Sequence, residues 1–205
     1  MKRRIFLAAS AAALVLARVL ARLPAEAATT GDDAKKFISS LGADAISSLT
    51  GSNLSQSERE KRFRGLLESH FDMPGINKFV LGRYWKIATD SQKTDFQKLF
   101  ESLLVQSYAK TFAQYAGEKF QVTNARGNED GSFLVNSQIN RPNGDIIRLD
   151  WRVEDQSGAM RITDLLVEGV SLRTTHRSDI ASAIQSNGGT VAGLLDALRQ
   201  KVGNS

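Results

Sequence analysis

The chain has 205 residues, of which 41% are hydrophobic and 24% are charged, and this ordinary globular composition argues against disorder and predicts one domain. It contains no cysteine, which excludes disulfides, thiolate catalysis and cysteine-ligated zinc or iron–sulfur centres. The formal net charge is +5, so the position of the basic residues decides whether a nucleic-acid-binding surface is present.

The first 27 residues have the organisation of an export signal. Basic residues at positions 2–4 precede a mostly apolar run at 5–16, and the segment closes with the small-x-small pattern Ala25-Glu26-Ala27. A membrane anchor is the alternative, but the run is too short to span a bilayer and is followed by Arg18 and Arg22. We therefore predict a cleavable signal peptide over 1–27, exported by the general secretory or the twin-arginine route.

The excess of basic residues belongs to this signal. Residues 1–27 hold five basic residues and one acidic residue, so the remaining chain has 22 basic and 21 acidic residues. A chain that is nearly neutral gives no support to nucleic-acid binding.

Two amphipathic helices are predicted at the start of the remaining chain. Asp32 or Asp33 is positioned to cap the first helix, whose apolar residues recur every three or four positions until the break at residues 50–53. Ser55 and Glu58 have capping-box spacing for the second helix.

A short helix is predicted within the stretch FDMPGINKFVLGRYW at residues 71–85. Asp72 is its expected N-cap, Pro74 lies in its first turn, and Gly82 is expected to end it, leaving residues 83–85 as an irregular turn. This stretch has four aromatic residues and almost no side chain suited to catalysis.

The strongest helical pattern in the chain follows this stretch. Thr89 and Gln92 have capping-box spacing, and eight large apolar or aromatic residues keep to one stripe from Phe96 to Tyr115. We predict one helix of more than five turns here, ending at Gly117.

From Lys119 the apolar period changes from 3.6 to 2, which predicts four consecutive strands joined by tight turns. Asn143-Gly144 is the strongest hairpin signal. Two terminal helices are predicted near 172–185 and 191–201.

The predicted fold is therefore α+β: a four-stranded curled antiparallel meander whose apolar face is covered by several helices, enclosing a hydrophobic pocket. We assign residues 28–205 to one domain, with a helical part at about 28–116 and the sheet with its terminal helices at about 117–205.

Catalytic and metal-binding patterns are sparse. The two histidines, His70 and His176, are far apart and lack metal-ligand partners at helical spacing, so surface or capping roles are expected for both. No glycine-rich phosphate loop follows a strand. We expect no metal and no cofactor.

Asp150 and Asp164 lie on predicted strands, and Asp164 interrupts an apolar alternation. An inward-facing aspartate in an apolar site would have a raised pKa and would be a candidate general base. The alternative, which we favour, is a structural aspartate paired with an arginine such as Arg148 or Arg161.

The sequence resembles the MlaC, or toluene-tolerance, family. Asp72-Met73-Pro74 followed by residues 79–85 is similar to the family signature, whereas Gly75 stands where larger or acidic residues are usual and Thr175 replaces the aromatic residue before Arg177. Further similarities lie at Gln97–Phe100 with Tyr108, at Glu168–Ser171 with Arg177, and at Gly188-Gly189 ahead of Leu194 and Leu195. The resemblance covers nearly all of the chain after residue 27.

This resemblance implies a periplasmic phospholipid-binding protein, without enzymatic activity, that serves an ABC-type lipid transport system. Its implied partners are an outer-membrane lipoprotein–porin complex and an inner-membrane ABC complex, and its implied role is maintenance of outer-membrane lipid asymmetry. A hopanoid-associated relative shares the pattern, so either phospholipid or a hopanoid remains open as the ligand.

If the protein carries lipid, we expect a pocket walled by residues of the short helix, the long helix and the third strand. The predicted lipid-binding residues are Phe79, Val80, Tyr84, Trp85, Leu103, Leu104, Tyr108, Leu149, Trp151 and Val153. Two alternatives remain: an envelope enzyme with an aspartate base acting on a small apolar substrate, and a purely structural envelope domain whose apolar residues are all core.

Overall fold

A computed structural model describes residues 29–51 and 53–203, so the predicted signal peptide lies outside the described residues. The α-helices are α1 (Gly31–Leu49), α2 (Gln56–His70), α3 (Met73–Leu81), α4 (Asp90–Tyr108), α5 (Leu172–Ser186) and α6 (Val191–Gly203). Two 3-10 segments, Gly82–Lys86 and Ala109–Gln114, follow α3 and α4. The strands are β1 (Lys119–Gly127), β2 (Phe133–Asn140), β3 (Ile146–Gln156), β4 (Ala159–Val167) and β5 (Val170–Ser171). None of the helices in the described part of the chain is long and apolar enough to cross a membrane.

The five strands form one antiparallel sheet in the order β1-β2-β3-β4-β5. The predicted α+β meander covered by helices is confirmed, but the sheet has a fifth strand that the sequence did not predict. This edge strand is only two residues long, too short for an alternating pattern, and it pairs with β4 through a turn at Glu168-Gly169. Both turn residues have positive φ, at 49° and 80°, as a two-residue hairpin turn with the twist of the strands requires.

Three of the predicted helix starts are confirmed. Side chains of Ser55, Asp72 and Thr89 accept hydrogen bonds from the first turns of α2, α3 and α4. The prediction for α1 was wrong: its N-cap is Thr30, whose Oγ1 accepts from the Asp33 backbone N–H while the Asp33 carboxylate accepts from Thr30 N–H. Asp33 therefore stands third in the helix, because it is the acidic half of a capping box rather than the cap.

The long helix is shorter than predicted. The α-helix ends at Tyr108 and continues as the tighter 3-10 segment to Gln114. A 3-10 segment has three residues per turn, so Ala109, Phe112 and Tyr115 share its inward side. This spacing of three also fits an α-helical stripe, which explains why the sequence pattern did not mark the change.

The hydrophobic core has two parts, one between α1 and the sheet and one among the other helices. One part packs α1 onto the inner face of the sheet, with Ala34 and Ile38 against Val135, Val153 and Ile162, all fully or almost fully buried. The other part packs α3, α4, α5 and α6 together, and its two largest fully buried side chains, Phe96 and Phe100, belong to α4.

A backbone link holds the α2–α3 junction against the sheet between these two parts. Phe71 forms a bridge with Ile162 of β4, and Asp72 N–H donates to Ile162 O at 2.9 Å. The start of α3 is therefore fixed at the border of the two cores, where the candidate site lies.

Candidate functional site

An apolar cavity of about 270 Å³ lies where helices α1 to α5 meet β3 and β4. Its apolar wall consists of Leu41, Ala45, Phe63, Leu66, Leu67, Phe71, Met73, Ile76, Phe100, Leu104, Phe112, Leu149, Trp151, Leu165 and Leu172. The polar side chains on the wall are Tyr108, Thr111, Asp164, Arg173 and His176. Such a wall suits a hydrocarbon ligand and offers few groups for chemistry on a polar one.

The apolar space continues along the inner face of the sheet. A second cavity of about 230 Å³ extends toward the ends of β1 and β2, where Phe120 and Ile139 line it. The two cavities share Leu41, Ala45, Thr111, Phe112, Leu149 and Trp151. The two cavities are therefore adjacent, and we refer to them together as the elongated site between α1, the 109–114 segment and β3.

Trp151 occupies the centre of this elongated site and is held by a buried hydrogen-bond chain. Its indole Nε1–H donates to Ser137 Oγ at 2.9 Å, and Ser137 Oγ–H donates to Leu149 O at 3.1 Å. Phe120 meets the indole edge-on, with ring centroids 6.3 Å apart. Because its one polar group is satisfied within the sheet, Trp151 presents only apolar surface to the cavity.

Asp164 is buried on the cavity wall, and its carboxylate is already engaged. It accepts from Ser171 Oγ at 2.7 Å and from Arg173 N–H at 3.2 Å, and Arg173 Nε lies 4.0 Å away. This geometry fits the favoured structural role of Asp164, but the predicted arginine partners, Arg148 and Arg161, were wrong. Arg148 and Arg161 are exposed or half-exposed on the sheet and bond to Glu168 and to Ser69 O instead.

Asp150 does not reach the cavity. It lies between Leu149 and Trp151 on β3, so strand alternation places its side chain on the opposite face of the sheet. There it accepts a hydrogen bond from Asn136 Nδ2 at 2.6 Å. Neither aspartate is therefore a free carboxylate facing the apolar space.

The second polar group of the wall is a tyrosine–histidine pair. Tyr108 Oη lies 3.1 Å from His176 Nε2, and Phe100 meets the imidazole edge-on at 5.4 Å. Burial lowers the pKa of His176, and burial together with the nearby Asp179 carboxylate raises the pKa of Tyr108. Both groups are therefore neutral near pH 7, so the pair adds no charge to the wall.

The expected surface role of His176 was wrong, because α5 turns this residue toward α4 and half-buries it on the cavity wall. His70 agrees better with its expected capping role: it stands in the last turn of α2, with Nδ1 3.2 Å from Leu66 O and its ring against Phe37. Among the described residues no three histidine or acidic side chains cluster closely enough to hold a metal ion.

The structure divides the ten predicted lipid-binding residues into two groups. Those on the wall of the elongated site are Leu104, Tyr108, Leu149 and Trp151. The others lie elsewhere: Val80, Tyr84 and Leu103 in the helical core, Val153 in the core under α1, and Phe79 and Trp85 on a separate surface groove. Contact of any of the ten with lipid stays a prediction.

Sequence reasoning missed the contribution of α2 and the start of α3. Phe63, Leu66 and Leu67 of α2 line the cavity, as do Met73 and Ile76 of α3. The apolar spacing of α2 was a visible signal, but it does not distinguish a core face from a cavity wall. In the 71–85 stretch, the first half lines the cavity and the second half packs against α5 or faces the groove.

The chain is similar in sequence to known proteins. The profile of the family described as MlaC protein matches residues 40–200. The toluene tolerance protein Ttg2D of Pseudomonas putida is 25% identical over 126 residues, which is 61% of this chain and 59% of that protein's length.

Among solved structures, the fold is similar to the phospholipid-binding protein from Ralstonia solanacearum, which was solved in complex with a phospholipid. The TM-score is 0.75 at 24% identity, and the match covers 83% of this chain and 97% of that one. At this identity the superposition establishes the shared α+β fold.

Proposed function

Because the chain belongs to the MlaC protein family, we propose that it is a phospholipid carrier that holds acyl chains in the elongated apolar site. The observation that carries this proposal is the apolar wall around Trp151, on which the indole of Trp151, the Tyr108–His176 pair and the Asp164 carboxylate are hydrogen-bonded within the protein. The phospholipid bound by the Ralstonia protein of the same fold supports the choice of ligand.

The energetics explain why a carrier needs such a site. Moving two acyl chains with about 30 methylenes into water costs on the order of 25 kcal/mol, at about 0.8 kcal/mol for each methylene. A protein that takes lipid out of a bilayer must offset most of this cost with an apolar interior. Helices α1 to α5 and the inner face of the sheet supply that interior here.

The proposed cellular role rests on the family resemblance. We propose that the signal peptide directs the protein to the periplasm, where it moves lipid between an outer-membrane lipoprotein–porin complex and an inner-membrane ABC complex and so maintains lipid asymmetry. No catalytic step is part of this proposal. The engagement of Asp164 by Ser171 and Arg173 supports a structural role for the only buried carboxylate among the described residues.

The experiment is lipid extraction and native mass spectrometry of the protein purified from cells after signal cleavage. We expect phospholipid to co-purify with the wild type and to be largely lost from Leu66→Trp, since the indole would occupy the cavity that Leu66 lines. The matched control is Leu134→Trp, because β2 alternation turns Leu134 to the face opposite Val135 and the core.

Wild-type protein without bound lipid would contradict the carrier function and favour a purely structural domain. Equal lipid content in the two tryptophan variants would contradict the assignment of lipid to this cavity. Circular dichroism of both variants checks that the fold is retained.

A further inference from the structure

A basic groove borders the apolar site. It has a volume of about 560 Å³, and its basic residues are Lys78, Arg83, Lys86, Arg173 and Arg177. Only two acidic residues, Asp72 and Glu154, lie in the same groove. The groove therefore has a positive balance on a chain that is otherwise close to neutral after residue 27.

The two carboxylates of the groove are already used by neighbouring groups. Asp72 caps α3 and accepts from Gln156 Nε2 at 3.1 Å, and Glu154 accepts from Thr163 Oγ1 at 3.1 Å. Among the described residues, Arg173 is the only basic side chain of the groove in an ion pair with a carboxylate. The positive charge of Lys78, Lys86 and Arg177 is therefore left for a ligand.

Two guanidinium groups of the groove are held in place by Phe79. The Cζ atoms of Arg173 and Arg177 lie over its ring, at 4.2 and 4.9 Å from the centroid. Gly82 leaves room for the Arg177 side chain, since a Cβ added at this position would lie 3.2 Å from Arg177 Nε. The Gly82 backbone, with φ of 58° and ψ of −129°, also favours glycine. Planar guanidinium groups fixed in this way are prepared to bind a phosphate through paired N–H donors.

The groove and the cavity meet at two residues. Ile76 and Arg173 line both of them, so a ligand with acyl chains in the cavity has its polar end within reach of the groove. The buried Nε of Arg173 donates no hydrogen bond within the described residues, although the Asp164 carboxylate lies 4.0 Å away. A donor without an acceptor at this junction is a second sign of a polar ligand there.

We propose, on the basis of the phospholipid-carrier function above, that this groove binds the phosphate of the lipid head group. Arg177 and Arg173 hold the phosphate, Lys78, Arg83 and Lys86 supply the surrounding positive field, and Phe79 orients the two guanidinium groups. The carrier then selects lipids that bear a phosphate over neutral lipids with the same acyl chains.

The test loads delipidated protein from mixed micelles of a non-ionic detergent that contain dioleoyl phosphatidylglycerol and dioleoylglycerol in equal amounts. The ratio of the two bound lipids is measured by mass spectrometry after repurification. We expect the wild type to prefer phosphatidylglycerol, Arg177→Gln to reduce the ratio about threefold, and Arg177→Gln with Lys86→Gln to reduce it about tenfold. High salt should reduce the preference of the wild type in the same direction.

The matched control is Arg126→Gln, which removes the same charge from an exposed position on β1 outside the groove and should leave the ratio unchanged. A wild type that binds both lipids equally, or variants that keep the wild-type ratio, would overturn the head-group site while leaving the carrier function intact. Binding of neither lipid by the wild type would instead contradict the carrier function itself.

Two further measurements distinguish other ligands of a basic groove. Inorganic phosphate and glycerol phosphate are titrated alone by NMR; saturable binding that Arg177→Gln abolishes, with an unchanged lipid ratio, would assign the groove to free phosphate and overturn the proposal. Groove variants that keep the wild-type lipid ratio but lose binding to an acidic protein would also overturn the head-group site. They would assign the groove to docking of that protein.

Discussion

The polar side chains on the cavity wall show how an apolar site tolerates hydrogen-bonding groups. Trp151 donates to Ser137, Tyr108 pairs with His176, and Asp164 accepts from the chain that leads into α5. An unpaired polar atom here would attract water and weaken hydrocarbon binding, because a buried group without a partner costs roughly 1–3 kcal/mol. The pairs therefore keep the wall apolar and also fix α4, α5 and β3 around the space.

The pairing of His176 predicts a pH dependence of stability. Burial lowers its pKa in the folded protein below the ordinary value of 6.5, so the unfolded chain binds a proton first as the pH falls. Protonation then favours unfolding, and the stability from neutral His176 is present above pH 6.5 and lost as the pH falls through and below this value.

We expect the free energy of unfolding of lipid-free wild type, measured with urea, to decrease more between pH 7.5 and 5 than that of His176→Gln. This variant keeps a hydrogen-bonding group but does not titrate. The free-energy difference between the two proteins should therefore shrink as the pH falls. Parallel pH profiles would show that His176 makes no such contribution.

At the scale of helices and strands, the features that sequence predicted are local ones. Capping boxes at Ser55 and Thr89 were predictable because the cap and its partner stand three residues apart, whatever the rest of the fold does. The end of α4 at Tyr108 was not predictable, because both an α-helix and a 3-10 segment place Phe112 and Tyr115 on an inward side. Local spacing does not distinguish the two kinds of helix. The Phe112 ring packs against Phe63 of α2, with ring centroids 5.8 Å apart, and a tertiary contact of this kind is not visible in the sequence pattern.

The start of α3 gives a prediction with two matched glycines. A Cβ on Gly75 would lie 2.0 Å from Asp72 Oδ2, the carboxylate that caps the helix and bonds to Gln156, whereas nothing lies within 4 Å of a Cβ on Gly65 in α2. This close approach accounts for glycine at position 75.

We expect Gly65→Ala to stabilise the protein by about 0.5–1 kcal/mol through helix propensity. Gly75→Ala should be less stable than Gly65→Ala by at least about 1 kcal/mol, since Asp72 must leave its cap position. Chemical denaturation of both variants measures this difference, and equal stabilisation by the two alanines would show that the cap moves without cost.

At the scale of the whole molecule, the division between core and cavity wall depends on how layers meet, not on any one pattern. Phe96 and Phe100 stand one turn apart on α4, yet Phe96 packs only in the helical core and Phe100 reaches the cavity. Leu149 and Val153 share one face of β3, yet Val153 lies in the core under α1. Sequence identified these residues as inward-facing; the position of α1 and the 109–114 segment decides which of them border open space.

Because the cavity lies between the two parts of the core, we expect a bound lipid to stabilise the folded protein. Lipid bound at 100 times its dissociation constant adds about 2.7 kcal/mol, which for a domain of this size is an increase in melting temperature of about 5–10 °C. We expect removal of lipid to lower the melting temperature of the wild type by this amount in differential scanning calorimetry. Leu66→Trp should melt at the same temperature before and after the same treatment, because its cavity is already filled and has no lipid to lose. An equal decrease in both proteins would place the stabilising lipid outside the cavity, since filling the cavity would not have displaced it.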